Sequence, residues 1–456
     1  MASAAPPDRA VTIMRGPRVL FVALADYLGM ERVPAAMGAL GADCAVLSPP
    51  GFCCLSSRHI QQWYPLPAHR GLWLGLAFIR RRLEEAAATW RPDLVVPLDD
   101  IAAQYLRVLG KSVRLPAPLR DLLERSFGDP SGYASVCSRL ATMQVARAAG
   151  IRTPRFVASR DPAEIMANAV GWGFPVVLKG ENSCGGHGVV IARDGRELRA
   201  ALRRYHGGSA WEQSRRAVVR AFWQAAGLSE TATAPPLLQT LVPGVPAMRT
   251  VSAWRGEVLE GVSFISEKVH PTPTGPSTMV RQVDNQEMAE AVRRFVRSQR
   301  CSGFLSFDFM LDEETDEAAM IEVNARPIGT THLGRHFGQD PFAALLARIG
   351  IPELYPMPAR TLHARSIALF PKELIRAPDD PERLQSRAVL HDVPYDDPPM
   401  LDMHLAHLRV AHPVEFPAIE QSLRAPRRET RLIEAIGFNE SRPRVEPRVA
   451  GHVLMG

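Results

Sequence analysis

The chain has 456 residues, of which 46% are apolar and 22% are charged, and its formal net charge is +6. This length is too great for one hydrophobic core, so we expect several domains, while the composition is that of an ordinary soluble globular protein. The arginines are scattered, with no basic stripe interleaved with aromatic residues, so we expect no nucleic-acid partner.

The start of the chain predicts a disordered end followed by a buried strand. Residues 1–16 are expected to be disordered. The apolar run 19–25 resembles a short signal peptide, but a strand–helix alternation follows it, so we predict a parallel strand instead. No segment is long enough to span a bilayer, and the six cysteines show no paired metal-ligand spacing. We therefore expect a cytoplasmic protein with no membrane partner.

Residues 17–128 alternate between strand and helix patterns. The predicted elements are a strand at 18–23, a helix at 31–40, a strand at 44–47, a helix at 76–90 and a strand at 93–98. Such alternation indicates a Rossmann-like α/β domain with a parallel sheet, although no G-x-G-x-x-G motif marks a dinucleotide site. Asp99 and Asp100 follow the last strand. They either face a ligand at the carboxyl edge of the sheet or cap the next helix.

A glycine-rich turn then joins two predicted strands. The first strand, Phe174–Lys179, ends in one of only four lysines in the chain, and Val189–Ala192 forms the second. Glycines in such a turn let backbone N–H groups approach phosphate oxygens closely. Alone, this turn is a weak signal, because most turns of this kind are ordinary hairpins.

A more specific pattern lies further along, in two apolar strands separated by the polar turn 312–317. A hairpin centred near Thr315 places Asp308 opposite Glu322 and Ser306 opposite Asn324. Like charges that face each other across a sheet repel, so this pair needs a counter-charge. The natural one is a hard divalent cation such as Mg²⁺, which takes one or two carboxylates together with substrate phosphates. The alternative is a solvated acidic hairpin.

Residues 351–456 form a proline-rich C-terminal extension. It contains one predicted strand at 366–371, followed by turns rich in Asp and Pro. The last segment, about thirty residues rich in Arg and Pro, is expected to be loosely ordered.

Taken in chain order, these motifs resemble the ATP-grasp superfamily, which includes biotin carboxylase, carbamoyl phosphate synthetase and D-alanine–D-alanine ligase. The resemblance covers roughly residues 136–350. It implies phosphate contacts from Arg139 and Lys179, and an arginine near the transferred phosphate at Arg326. The metal ligands that it implies are Asp308, Glu322 and Asn324. The remaining ATP contacts that it implies are Ser183, Gly185, Gly186 and Gly188 in the glycine loop and Gln239, Thr240 and Leu241 in a hinge strand.

The resemblance also implies a domain order and a chemistry. The pre-ATP-grasp domain is 17–128, the small subdomain with the glycine loop is 129–235, and the large α+β subdomain with the metal is 236–350. The implied cofactors are ATP and Mg²⁺, with Mn²⁺ as an alternative ion. Where the family usually carries a glutamate for the ribose hydroxyls, this chain has Val245, Pro246 and Ala247.

Three further residues are candidates for substrate contacts, and each has a structural alternative. Arg249 lies on the strand after the hinge. Arg281 presents a guanidinium fork that suits a carboxylate, or else forms a surface ion pair. His332 either touches substrate or acts as a base, or else packs within a helix.

Three functional hypotheses follow. The favoured one is a ligase that activates a small-molecule carboxylate as an acyl phosphate and joins it to an amine. The second is an enzyme that uses bicarbonate or forms carbamoyl phosphate, and the third is a nucleotide-binding module without catalysis. Related enzymes are often dimers, so a homodimer is an alternative to a monomer.

Overall fold

The structure is a computed structural model that describes residues 16–67, 72–112, 114–180, 189–206, 235–356, 366–379, 389–424 and 448–449. Residues 1–15 of the predicted disordered start, the glycine loop at 183–188 and most of the loosely ordered C-terminal segment lie outside these ranges. Among the described helices, none combines the length and the apolar character needed to cross a membrane.

The N-terminal part is built on a parallel sheet, as the strand–helix alternation predicted. Its strands are β1 (Arg18–Val22), β2 (Asp43–Ser48), β3 (Ile60–Pro65) and β4 (Leu94–Pro97), and β16 (Arg448–Val449) adds to its edge. The order is β16-β3-β2-β1-β4. Because β1, β2 and β4 are apolar and buried on both faces, helices must cover both sides. The helices of this part are α1 (Arg32–Ala39), α2 (Leu72–Thr89), α3 (Asp100–Gly110) and α4 (Ala117–Phe127).

The strand order of this sheet creates a crevice between β1 and β4. From β1 the chain proceeds through β2 to β3 in one direction, whereas β4 lies on the other side of β1. The loops that leave the carboxyl ends of β1 and β4 therefore diverge. In open α/β sheets this is where ligands bind.

A small antiparallel sheet follows, with the order β5-β8-β6-β7. Its strands are β5 (Phe156–Ala158), β6 (Val176–Lys179), β7 (Val189–Ala192) and β8 (Leu237–Thr240), and the helices of this part are α5 (Tyr133–Cys137), α6 (Arg139–Ala148), α7 (Pro162–Trp172) and α8 (Gly195–His206). Ser138 caps α6 by accepting a hydrogen bond from the Ala141 N–H. Strand β8 pairs with β5 and β6, so this sheet extends past the sequence-based boundary at 235.

The large sheet has seven strands in the order β13-β12-β9-β10-β11-β14-β15. Its strands are β9 (Val245–Trp254), β10 (Glu257–Val269), β11 (Ser277–Gln282), β12 (Gly303–Leu311), β13 (Ala318–Asn324), β14 (Ser366–Ala368) and β15 (Val389–His391). Helix α9 (Gln286–Ser298) buries Phe295 against Phe307 of β12, with ring centroids 5.4 Å apart. This contact covers one face of the sheet, and the acidic side chains of the β12–β13 hairpin lie on the other.

The remaining helices complete the C-terminal half. They are α10 (Pro341–Ile349), α11 (Lys372–Arg376), α12 (Pro398–Ala411) and α13 (Phe416–Arg424), with short 3-10 helices at Cys53–Leu55, Pro130–Gly132, Thr331–Phe337 and Pro352–Leu354. Buried polar contacts hold this half against the N-terminal part. Asp397 accepts hydrogen bonds from the Ser57 hydroxyl at 2.6 Å and from the Arg58 N–H at 3.0 Å.

Candidate active site

The β12–β13 hairpin places its polar residues as predicted. Asp308 is registered opposite Glu322, and Ser306 opposite Asn324. The amide nitrogen of Asn324 donates to Asp308 Oδ2 at 3.0 Å. The two carboxylates and the Asn324 amide therefore lie on one face of the hairpin.

The electrostatics of this face favour a nearby positive charge. Burial, reinforced by the negative charge of Glu322, raises the pKa of Asp308 to about 7. Glu322 is held by Arg139, whose Nη2 lies 2.8 Å from Glu322 Oε1. The described residues contain no group of three or more His, Cys, Asp or Glu side chains that could hold a metal ion. A metal here would bind two carboxylates and an amide oxygen and complete its shell with ligand oxygens, which is the habit of Mg²⁺.

Two cations reach the hairpin from the neighbouring elements. Lys179, the last residue of β6, donates from Nζ to the backbone oxygen of Ile321 at 3.3 Å. Arg139 donates to the backbone oxygen of Gly180 as well as to Glu322. Burial lowers the pKa of Lys179, although the charge of Glu322 opposes this shift. Lys179 and Arg139 thus meet the Asp308–Glu322 pair where the small sheet faces the hairpin, and we call this place the cleft.

Strand β8 turns a buried polar side chain toward the same cleft. Leu237 pairs with Lys179 and Gln239 pairs with Val177, so Gln239 and Lys179 share a face of the small sheet. Leu238, on the other face, packs in the core beneath α7 and α8. Gln239 is only 1% exposed, yet its Nε2 has no hydrogen-bond partner among the described residues. An orphaned buried donor is costly, and a nucleotide base offers the acceptors that would satisfy it.

The rest of the predicted hinge borders this donor. Thr240 ends β8, and its backbone N–H donates to the Arg155 carbonyl at 3.0 Å. Leu241 follows and is 39% exposed, so its apolar side chain is open to solvent or to a bound group. The glycine-loop candidates cannot be placed against it, because Ser183, Gly185, Gly186 and Gly188 lie outside the described residues.

Arg326 joins the hairpin to the N-terminal crevice. Its guanidinium forms a two-point ion pair with Asp100, with both nitrogen–oxygen distances at 2.8 Å, and lies over the Tyr27 ring. The Ser306 hydroxyl donates to the Arg326 carbonyl at 2.9 Å and fixes the chain after β13. Asp100 therefore orients the arginine at the carboxyl end of β4. The Asp99–Asp100 doublet was the sequence signal, but its partner could not be read from the sequence.

Asp99 fulfils the capping alternative. It accepts hydrogen bonds from the Ala102 N–H at 2.8 Å and from the Leu24 N–H at 2.6 Å. Burial raises the pKa of Asp99 to about 6 despite these hydrogen bonds. The residue ties the loop after β1 to the start of α3, so it shapes the crevice without facing it.

The structure does not bring Arg249 or Arg281 to this site, which corrects their assignment as substrate contacts. Arg249 is registered opposite Phe307, one position out of phase with Asp308, so it lies on the opposite face of the sheet. There its Nη1 donates to the Ser263 hydroxyl at 2.8 Å. Arg281 forms ion pairs with Glu313 at 2.7 Å and Glu267 at 3.4 Å, which is the surface alternative.

His332 is also occupied elsewhere. It is 3% exposed, and its Nε2 lies 2.8 Å from Asp392 Oδ2. Arg32 binds the same carboxylate at 3.1 Å. Burial lowers the pKa of His332, so the ring is neutral near pH 7. The hydrogen bond to Asp392 fixes the orientation of this neutral ring. This buried cluster links α1 to the C-terminal strands, and His332 packs as in its structural alternative.

No protein-family model matches the chain, and no curated protein matches it. Similar solved structures do exist. The biotin carboxylase domain of 2-oxoglutarate carboxylase from Hydrogenobacter thermophilus, in complex with MgADP, ADP and bicarbonate, is 17% identical with a TM-score of 0.51, over 74% of this chain and 69% of that one. Carboxyaminoimidazole ribonucleotide synthase from Aspergillus clavatus, complexed with ATP, is 16% identical with a TM-score of 0.53, over 76% and 80%. These likenesses establish that the chain has the ATP-grasp fold.

Proposed function

We propose that this chain is an ATP-dependent ligase that phosphorylates a carboxylate and passes the acyl group to an amine, releasing ADP and phosphate. The observation that carries the proposal is the meeting of Lys179, Arg139 and the Asp308–Glu322 pair in one cleft, with Arg326 beside them. In the two similar structures, the bound molecules are ATP in one and MgADP, ADP and bicarbonate in the other. ATP with Mg²⁺ is accordingly the nucleotide that we assign to the cleft.

Each group in the cleft has a definite task in this proposal. Asp308, Glu322 and Asn324 would hold Mg²⁺, which supplies positive charge to the phosphate oxygens when it is bound. Lys179 and Arg139 balance the remaining phosphate charge, and the Gln239 amide donates to the base. Phosphoryl transfer depends mainly on positioning and charge stabilisation, so the protein needs no nucleophile of its own.

The chemistry proceeds in two balanced steps. A carboxylate oxygen of the substrate attacks the terminal phosphorus, the bond to the bridging oxygen breaks, and ADP leaves. The amine nitrogen then attacks the acyl carbon, the carbon–oxygen bond to phosphate breaks, and the nitrogen loses a proton. Arg326, held by Asp100, lies between the nucleotide cleft and the crevice and would neutralise the transferred phosphoryl group.

A bicarbonate-using reaction is the second candidate, because one similar structure holds bicarbonate together with ADP. In that reaction bicarbonate takes the place of the carboxylate and forms carboxyphosphate. The same nucleotide site serves both reactions, so the two differ only in the acid that enters the crevice.

The test is ADP release in the presence of pooled acids, with and without pooled amines, and separately with bicarbonate. Release that needs an acid and an amine supports the ligase, and hydroxylamine should trap the activated acid as a hydroxamate. Release that needs bicarbonate selects the second candidate, and nucleotide binding without any release on all pools rejects catalysis.

A matched pair of variants ties the activity to the site. Glu322→Gln should lower the rate by at least about 10²–10³, the loss typical for removal of one charged transition-state contact. Arg281→Gln is the control, because Arg281 lies on the opposite face of the sheet in exposed ion pairs. Equal activity of Glu322→Gln and wild type would reject the cleft as the active site.

A further inference from the structure

A lysine of the C-terminal region has no hydrogen-bond or ion-pair partner among the residues that the structure describes. Lys372 begins α11, and its Nζ forms neither a hydrogen bond nor an ion pair with any described residue. The neighbouring Lys268 and Arg376 both pair with Glu373 at 3.8 Å and 2.5 Å. The acid next to Lys372 in the chain is therefore already neutralised.

Two glycines leave room for this ammonium group. A Cβ on Gly29 would lie 3.2 Å from Lys372 Nζ, and one on Gly329 would lie 3.6 Å from it. Gly29, with a φ of +101°, lies in the loop that leaves β1, and Gly329 lies three residues after Arg326. The lysine thus lies beside the loop that leaves β1, whereas Lys179 and Arg139 contact Ile321, Gly180 and Glu322.

Nearby charges do not satisfy Lys372. The negative charge of Glu31 acts on Lys372 electrostatically, but Glu31 is buried against His404, with 3.0 Å between Oε1 and Nε2. The other Glu31 oxygen accepts the Gly29 N–H at 2.8 Å. Arg326 adds positive charge to the same region, and burial lowers the pKa of Lys372. Among the described residues, Lys372 is therefore a cation without a hydrogen-bonded or ion-paired acid, and the Arg326 guanidinium near it is already paired with Asp100.

We propose that Lys372 binds an anionic oxygen group of the acid substrate, distinct from the carboxylate that is phosphorylated. The acid is therefore a dianion, either a dicarboxylate or a phosphorylated carboxylic acid. This inference rests on the proposed function, since it names the substrate class of the same site. The reacting carboxylate must lie among Lys179, Arg139 and Arg326 beside the nucleotide. Lys372, which lies beside Gly29 and Gly329, is left for a second anionic group.

The first experiment detects the anion without turnover. The chain has only four lysines, namely Lys111, Lys179, Lys268 and Lys372, so protein labelled with ¹³Cε-lysine gives a simple spectrum. Lys372→Met assigns the signal, and saturating MgADP occupies the surroundings of Lys179. Succinate, phosphonoacetate and inorganic phosphate should shift the Lys372 signal saturably and leave that of the exposed Lys111 unchanged. No saturable shift with any of them, or equal shifts at Lys111, overturns the proposal.

The second experiment is kinetic and compares pairs of acids that differ only in the second anionic group. Wild type should prefer the dianionic acid in kcat/KM, and in Lys372→Met the ratio of kcat/KM for the dianionic acid to that for the monoanionic acid should fall about 10- to 100-fold. Lys372→Arg should restore part of it, and Lys268→Met should behave as wild type. The dicarboxylate and phosphorylated series identify which anion the lysine selects.

The proposed ligase activity and the role of Lys372 can be rejected separately. Absence of acid-dependent ADP release in wild type rejects the proposed function, whereas the Lys372 signal still reports on the anion site. Acid-dependent release with an identical preference in wild type and Lys372→Met, in a variant with an unchanged thermal midpoint, rejects the lysine alone.

Discussion

Replacement of Asp308 by asparagine should stabilise the protein in the absence of a divalent cation. Burial and the facing charge of Glu322 raise the pKa of Asp308 from 3.8 to about 7, so the ionised carboxylate is disfavoured in the folded state. The Asp308→Asn side chain has no charge but keeps an oxygen that can accept from the Asn324 amide. The Asp308 carboxylate thus lowers the stability of the folded protein when no metal is bound.

The size of this stabilisation follows from the pKa shift of Asp308. Three pKa units correspond to about 4 kcal/mol at about 1.4 kcal/mol per unit. Solvent screening of the partly buried carboxylate reduces this to about 2–3 kcal/mol. For a cooperative unit of about 200 residues, that free energy raises the thermal midpoint by roughly 4–12 °C.

The stability difference between wild type and Asp308→Asn should depend on pH. Below about pH 4 the carboxyl is protonated in both the folded and the unfolded states, so wild type and variant should unfold alike. Between about pH 4 and pH 7 the unfolded chain releases the proton while the folded chain keeps it, and wild type becomes progressively less stable than the variant. Above pH 7 the difference should stay constant.

Thermal unfolding in EDTA from pH 4 to pH 8 measures this difference. The control is Asp312→Asn in the same hairpin, because the Glu314 and Thr315 N–H groups lower the pKa of Asp312 and the expected effect has the opposite sign. Excess Mg²⁺ should raise the midpoint of wild type and not that of Asp308→Asn. A variant that is less stable than wild type at pH 8 in EDTA would refute the reasoning.

Three further outcomes are expected. Asp392→Asn leaves the buried Arg32 charge without its anion and should cost about 3–5 kcal/mol, measured by urea unfolding at pH 7. A midpoint equal to that of wild type would contradict the pairing. Gln239→Leu removes the unpartnered donor, so it should raise the KM for ATP about tenfold and change the thermal midpoint little. An unchanged KM would show that the amide does not contact the nucleotide. Asp100→Asn frees the Arg326 guanidinium and should lower kcat by about 10²-fold through lost orientation, with Asp121→Asn, on the exposed surface of α4, as the control.

The sequence was sufficient for the local parts of the site. The polar turn 312–317 between two apolar strands fixed the hairpin register, because a slip of one residue in one strand would put its polar and apolar side chains on the wrong faces of the sheet. The strand–helix alternation likewise predicted the parallel sheet, since apolar runs of four to six residues separated by amphipathic helices allow few other arrangements.

The long-range parts could not be predicted, for a geometric reason. Whether Arg249 faces the cleft depends on the register of β9 against β12, and no turn connects these two strands directly. The pairs Arg326–Asp100 and His332–Asp392 join segments that are distant in sequence, and only the packed fold brings them together. Nothing in the sequence indicated a role for Lys372, because its neighbours Gly29 and Gly329 are distant in sequence and carry no side chains that would suggest a site.

The strand order of the large sheet limits which segments can be exchanged between related chains. Strand β14 covers the open edge of β11 through the pairs Met279–Ala368 and Val280–Ile367, and Lys372 follows only four residues later. A chimaera that grafts a foreign tail after residue 350 would therefore leave an uncapped apolar edge, which invites aggregation. An exchange of the C-terminal tail between related chains should therefore include β11, so that the grafted strand meets the edge with which it pairs.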